Sequence, residues 1–178
     1  MAQEEFSKIY NENIDKIFRF FYLRVNSQET AQDLTAQVFL KFFEKKISFV
    51  QGEKVEETKK NKVLNPRAFL FKMARNQLID FYRRKERRNL SLENLDIDVP
   101  DTSISGKIFS EKLEISWEME QVIQALQKLN PLYADIVTWR YLDDLSFKEI
   151  SQILNKKEGT VRVLLQRAMA ALKKQLNP

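Results

Sequence analysis

The sequence predicts an all-α fold: two small helical domains joined by a flexible acidic linker, the C-terminal one with a helix-turn-helix. Three observations carry this. Apolar residues recur at three- and four-residue spacing along most of the 178 residues, which is the period of a helix with one buried face. Helix breakers are scarce, with 3 Gly and 4 Pro. One polar stretch, rich in Asp, Glu and Ser, interrupts the pattern between two helical blocks. The chain is long enough for two small cores, and 43% of its residues are apolar.

The elements follow in order. Phe6, Tyr10, Ile14, Ile17, Phe21 and Val25 mark a first helix over about residues 5–25. A second is expected from Ser27 to about Lys46, with Ala31, Leu34, Val38 and Phe42 inward. Ile47 to Leu64, polar and rich in Lys and Glu around Gly52, reads as a long surface loop. Asn65-Pro66 opens a third helix, Asn as cap and Pro in the first turn, with Leu70, Ala74, Leu78 and Phe81 inward and an end near Arg88. The domains are then expected at residues 1–89 and 111–178, with 90–110 as linker, since Leu90 to Ser110 holds Pro100, Gly106, Glu93, Asp96, Asp98 and Asp101. Helical spacing resumes at Ile115, Met119, Val122, Leu126 and Leu129. Asn130-Pro131 starts a further helix, expected to run to about Leu142. Ser146 and Glu149 form a capping-box pattern for a short helix ending at Leu154, Asn155 suits a left-handed turn, and a last helix runs from about Glu158 to Leu176.

Composition excludes several chemistries. Cys and His are both absent, so no thiolate nucleophile, no disulfide and no imidazole base or ligand exists. No phosphate-cradling glycine loop and no tight cluster of acidic ligands is found, so no catalytic residue, metal or cofactor is expected. The polar start MAQEEFSKIY predicts no secretory leader, and no apolar run reaches the length of a membrane span. A cytoplasmic protein without membrane insertion is the expectation. The net charge of +5 and sequence pI of about 9.3 point modestly toward a polyanion.

Distribution of charge says more. In Leu145 to Leu172 a short capped helix, a turn at Asn155–Lys157 and a longer helix have helix-turn-helix geometry. Val161, Leu165, Ala168 and Leu172 fall on the inner face. Thr160, Arg162, Val163, Gln166 and Arg167 are left on the outer face, where Arg suits guanine, Gln adenine and Val a thymine methyl. Lys156 and Lys157 stand beside the helix start, positioned for phosphate. Spacing alone leaves open a plain helical hairpin. The second signal is Phe81-Tyr82-Arg83-Arg84-Lys85-Glu86-Arg87-Arg88, cations that neutralise phosphate after aromatics that stack on unpaired bases. A solvated helix end is the bland reading. Two basic blocks around an acidic spacer favour two contacts on one nucleic acid.

At this point the chain resembles the extracytoplasmic-function class of RNA polymerase sigma factors. The stretch from Ala31 to Leu40 is similar to the segment that docks on the β′ clamp helices of core RNA polymerase. Phe69 to Asp80 is similar to the segment that recognises and opens the −10 promoter element, and Leu145 to Ala168 to the reader of the −35 element. The resemblance implies that Asp33, Leu34, Gln37 and Phe39 bind polymerase, although helix spacing also puts Leu34 inward. It implies that Asn76 captures a flipped −10 base, with Arg75, Asp80, Arg83, Arg84, Lys85, Arg87 and Arg88 along the −10 strand. It implies Lys156, Lys157, Thr160, Arg162, Val163, Gln166 and Arg167 at the −35 element. Implied partners are core polymerase (β′ clamp helices and β flap), promoter DNA and an anti-sigma factor. The chain departs from the family pattern at Phe69, where Trp is usual, at Ala36 and Gln37, where Gln and an acid are usual, at Leu164, where a cation is common, and at Lys157, a poor helix cap. The alternative is an autonomous helix-turn-helix regulator, which explains the last domain but not the Asn76 segment.

Overall fold

A computed structural model describes residues 2–25, 27–50, 65–92 and 117–176. Helices α1 (Ala2–Val25), α2 (Gln28–Val50) and α3 (Pro66–Leu92) form the first unit. Helices α4 (Trp117–Lys128), α5 (Pro131–Val137), α6 (Phe147–Leu154) and α7 (Glu158–Leu176) form the second, and a π-turn at Thr138–Leu142 extends α5.

Local signals set most boundaries. Ser27 Oγ accepts from the Thr30 N–H at 3.3 Å, and Asn65 Oδ1 from the Arg67 N–H at 2.9 Å, satisfying free amides at the starts of α2 and α3. Asn130 does the same for Leu132 at the start of α5. At α6 the capping box is complete: Ser146 Oγ accepts from the Glu149 N–H, and Glu149 Oε2 accepts from the Ser146 N–H at 2.8 Å. Asn155 closes the helix at φ 51°, ψ 46°. Ser146→Ala removes the hydroxyl arm of that box, leaving the backbone N–H at 146 still able to donate to Glu149, and is expected to lower stability by about 1 kcal/mol, read as the shift in urea midpoint.

Two boundaries and one turn differ from expectation. Helix α2 continues past Ile47, where a loop was expected, to Val50, with no breaker before Gly52; residues 51–64, and with them the rest of the expected loop, lie outside the described residues. Helix α3 continues to Leu92, so the first three residues of the expected linker are helical, as the first Pro of that stretch is Pro100. Residues 93–116, and with them the rest of the expected linker, lie outside the described residues. The helix from Asn130-Pro131 reaches Leu142 as expected, but its last turn is widened: the Asp143 N–H donates to Thr138 O, five residues back, at 3.1 Å. The wide turn directs both Trp139 and Asp143 inward, each fully buried.

The core of the first unit stacks Ile17, Phe21, Ala31, Val38, Leu70, Phe71 and Ala74 between the three helices. In the second, Ile136, Leu145, Ile150, Ile153, Val161, Leu165 and Ala168 hold the helix-turn-helix on α5. The units pack on each other. The Phe20 and Trp139 rings stack at 5.9 Å, and α6 lies against α3.

Candidate nucleic-acid interface

The outer face of α7, expected to read the −35 element, is defined by burial of the opposite face. Val161, Leu165, Ala168 and Leu172 are buried, which turns Thr160, Arg162, Val163, Gln166 and Arg167 to solvent. All five are exposed, as the periodicity requires. Arg162 is braced: its guanidinium lies 4.7 Å over the Phe147 ring and pairs with Glu158 at 3.5 Å. Exposed Val163 offers a methyl-sized contact between the two arginines. Lys156 and Lys157 are exposed in the turn before α7. Lys157 O accepts the Val161 N–H at 3.1 Å, so Lys157 occupies the cap position, and its ammonium cannot accept from the first amides. Those amides remain donors for a phosphate oxygen.

On α3, Asn76, Asp80, Arg83, Arg84 and Arg87 recur at spacings that put them on one side of the helix, and all are exposed. Arg88 flanks this stripe and Lys85 lies behind it, both exposed. Arg83 pairs with Asp80 at 3.8 Å in solvent, and Arg84 and Arg87 donate back to the Asp80 and Arg83 carbonyls, which orients them along the helix. The phenolic O–H of Tyr82 donates to Arg24 O at 2.6 Å, tying α3 to the end of α1. Arg75 departs from its neighbours. It is partly buried and turned toward the second unit, with Nε 3.3 Å from Asp135 Oδ2. Burial pushes the Asp135 carboxyl above the ordinary carboxylate range, against the opposing pull of Arg24 and Arg75. Burial likewise raises Asp143, opposed chiefly by Arg19.

The segment expected to dock on polymerase divides between surface and core. Asp33 and Gln37 are exposed. Leu34 and Phe39 are each only 4% exposed and pack into the first unit: Leu34 lies on the inward stripe, and Phe39 packs edge-on against Tyr10 at 4.8 Å. The apolar group that this face does present is Leu40, 60% exposed, beside Phe43. Continuing the spacing from Asp33 through Gln37 would have found it. Sequence reasoning also missed Lys41 and Gln77. Buried Gln77 donates to Gln37 Oε1 at 2.6 Å and accepts from Lys41 Nζ at 2.7 Å, at the base of a cleft of about 290 Å³ lined also by Asp80, Arg84 and Arg87. The expected docking segment and the expected −10 helix thus share one cleft.

Among the described residues no group of His, Cys, Asp or Glu is arranged to hold a metal ion. No described helix is long and apolar enough to cross a membrane.

A compact three-helix unit with an exposed polar and basic stripe, joined to a helix-turn-helix with a polar reading face, is the architecture of a promoter-reading subunit. The Sigma-70 region 2 model matches residues 9–88 and the Sigma-70 region 4 model matches residues 119–172. The chain belongs to the sigma-70 family, in the extracytoplasmic-function class of RNA polymerase sigma factors, proteins that direct promoter-specific transcription initiation. It is 27% identical, over 97% of its length, to the ECF RNA polymerase sigma factor BldN of Streptomyces coelicolor, and spans 61% of that protein. It is also 27% identical to the ECF RNA polymerase sigma factor SigW of Bacillus subtilis, covering 98% of this chain and 90% of that one. The fold matches that of the sigma factor RpoE, solved in complex with the anti-sigma factor NepR from Bartonella quintana, with a TM-score of 0.63 over 97% of both chains at 17% identity.

Proposed function

We propose that this chain binds core RNA polymerase through the α2 face around Asp33, Gln37 and Leu40, reads the −10 element with α3 and reads the −35 element with α7. The observation that carries the reading is the pair of exposed polar and basic faces, one on each matched unit, at Asn76–Arg88 and Thr160–Arg167. The mechanism is non-catalytic. Contacts made only to unpaired bases at Asn76 and to the strand backbone by the arginines shift the duplex toward its open form. The chain is proposed to act in the cytoplasm beside the polymerase, with domain limits at the end of α3 and shortly before α4. An anti-sigma protein is a further proposed partner, as the RpoE relative is bound by one.

The test is transcription in vitro with purified core polymerase on a promoter library, where transcripts that require this chain are expected. On a promoter so selected, Arg162→Ala is expected to weaken holoenzyme binding about ten- to a hundredfold and to relax base preference within the −35 element. Equal loss on every sequence would instead mark a phosphate contact. An autonomous regulator would shift duplex promoter DNA tightly without polymerase, so a gel shift of the chain alone separates the two readings.

A further inference from the structure

Arg162, on the outer face of α7, is held from two sides, while among the described residues Lys156, Lys157 and Arg167 make no ion pair or ring contact. Its guanidinium lies 4.7 Å over the ring of Phe147 on α6. Its Nη2 stands 3.5 Å from Glu158 Oε2, one turn back on α7. The ring is itself fixed. Phe147 is the first residue of α6, directly behind the Ser146–Glu149 capping box, and it packs against the core. A second guanidinium, that of Arg140, lies 5.0 Å from the same ring and donates from Nη1 to Leu145 O at 3.0 Å. Arg140 is thus tied to the backbone, whereas Arg162 is held by a ring and a carboxylate. The ring contact uses no N–H and the Glu158 pair uses Nη2, so most of the donors of Arg162 stay available to a partner.

We infer, resting on the −35 reading proposed above, that Phe147 and Glu158 are positioning residues that commit Arg162 to a base edge, a guanine, rather than to the DNA backbone. An exposed arginine beside a duplex has two kinds of target. Phosphate is an anion that a long flexible stem can reach from many angles. The O6 and N7 acceptors of guanine need the planar fork presented at one angle. The Phe147 ring favours guanine. A guanidinium lying over a fixed ring has already lost much of the freedom that a bidentate pair must lose on binding, so less is lost when the pair forms. Glu158 disfavours phosphate. A phosphate oxygen on Nη2 would stand within a few Å of the Glu158 carboxylate, two like charges at short range, whereas the edge of guanine is uncharged. Backbone contact is left to Lys156 and Lys157, exposed in the turn before α7. An acid in the first turn of a helix also suits the helix dipole. That role alone would make Glu158→Gln a change in stability with base preference untouched.

The full-length chain is combined with core polymerase and bound to a promoter selected as above and to its single-base variants across the −35 element. Arg162→Ala is expected to erase the preference at one position, a guanine, which identifies its base. At that position alone, Phe147→Leu is expected to lower the preference about two- to fivefold, and Phe147→Tyr, which keeps a ring under the guanidinium, to retain it. Glu158→Gln is expected to lower the same preference while overall binding tightens and its salt dependence steepens by about one phosphate contact. In the Arg162→Ala background neither Phe147→Leu nor Glu158→Gln is expected to change any preference. If circular dichroism shows that Phe147→Leu loses helix, Glu158→Gln, at a side chain 44% exposed, must produce the loss of preference with helicity intact. Unchanged preference in both variants overturns the inference. So does an equal loss at every −35 position, and so does an Arg162→Ala variant that keeps every preference and loses only salt dependence, the mark of a phosphate contact. A parent holoenzyme that binds no promoter defeats the promoter reading and this inference with it. A holoenzyme that binds normally and fails these comparisons defeats this inference alone.

Discussion

Asn76→Ala is expected to leave core-polymerase binding intact while lowering open-complex formation about ten- to a hundredfold. The side chain is exposed on α3, outside the core that holds the three helices together, so its loss costs the fold little. What it removes is an amide that both donates and accepts, the pairing capacity a flipped base edge requires. Extruding a base from its stack costs a few kcal/mol, and a contact made only to the extruded base offsets that cost in the open state and in no other. The split between binding and opening is therefore the signature. Polymerase pull-down should match the parent chain, and permanganate reactivity of −10 thymines should fall. Thymine reactivity equal to that of the parent would remove Asn76 from the proposed mechanism.

Trp139→Ala is expected to destabilise the protein by about 3–5 kcal/mol. The indole is fully buried and stacks on Phe20 at 5.9 Å, so truncation opens a cavity that borders both units. For a chain of this size the loss corresponds to a fall in melting temperature of roughly 10 °C. Trp139→Phe keeps a ring against Phe20 and should recover more than half of it. A melting temperature within a degree or two of the parent for Trp139→Ala would mean that the side chain does not lie between the units.

What was legible in the sequence was what depends on near neighbours. Ser146 with Glu149, Asn155, and Asn65 before Pro66 act within three residues of themselves, and each does in the structure what its local chemistry requires. The face of α7 was legible for the same reason, because one helix's period sorts Val161 and Leu165 from Arg162 and Gln166. Leu34 and Phe39 show the limit of motif reasoning: likeness to a docking segment does not say which of its residues the segment's own helix turns inward. The contact between units was not legible at all. Asp135 meets Arg24 and Arg75 across 111 and 60 residues, and Asp143 meets Arg19 across 124. Neither acid belongs to a spacing pattern, and both read as ordinary surface charges until α5 is laid against α1 and α3. The widened turn that carries Asp143 inward has no sequence mark either, since Thr138 to Leu142 continue the apolar rhythm without a breaker.

That turn has a consequence for how the second unit tolerates changes in length. It accommodates one residue more than an α-helix would over the same rise, and exposed Tyr141 sits within it. Shortening the chain by one residue there can be absorbed by tightening to ordinary helical pitch. The same deletion at the start of α7 would swivel every later side chain by about 100° and turn the Arg162–Arg167 surface away from the groove proposed for it. Slack in chain length is thus held on the inner side of the helix-turn-helix, and none is held in the part proposed to meet DNA.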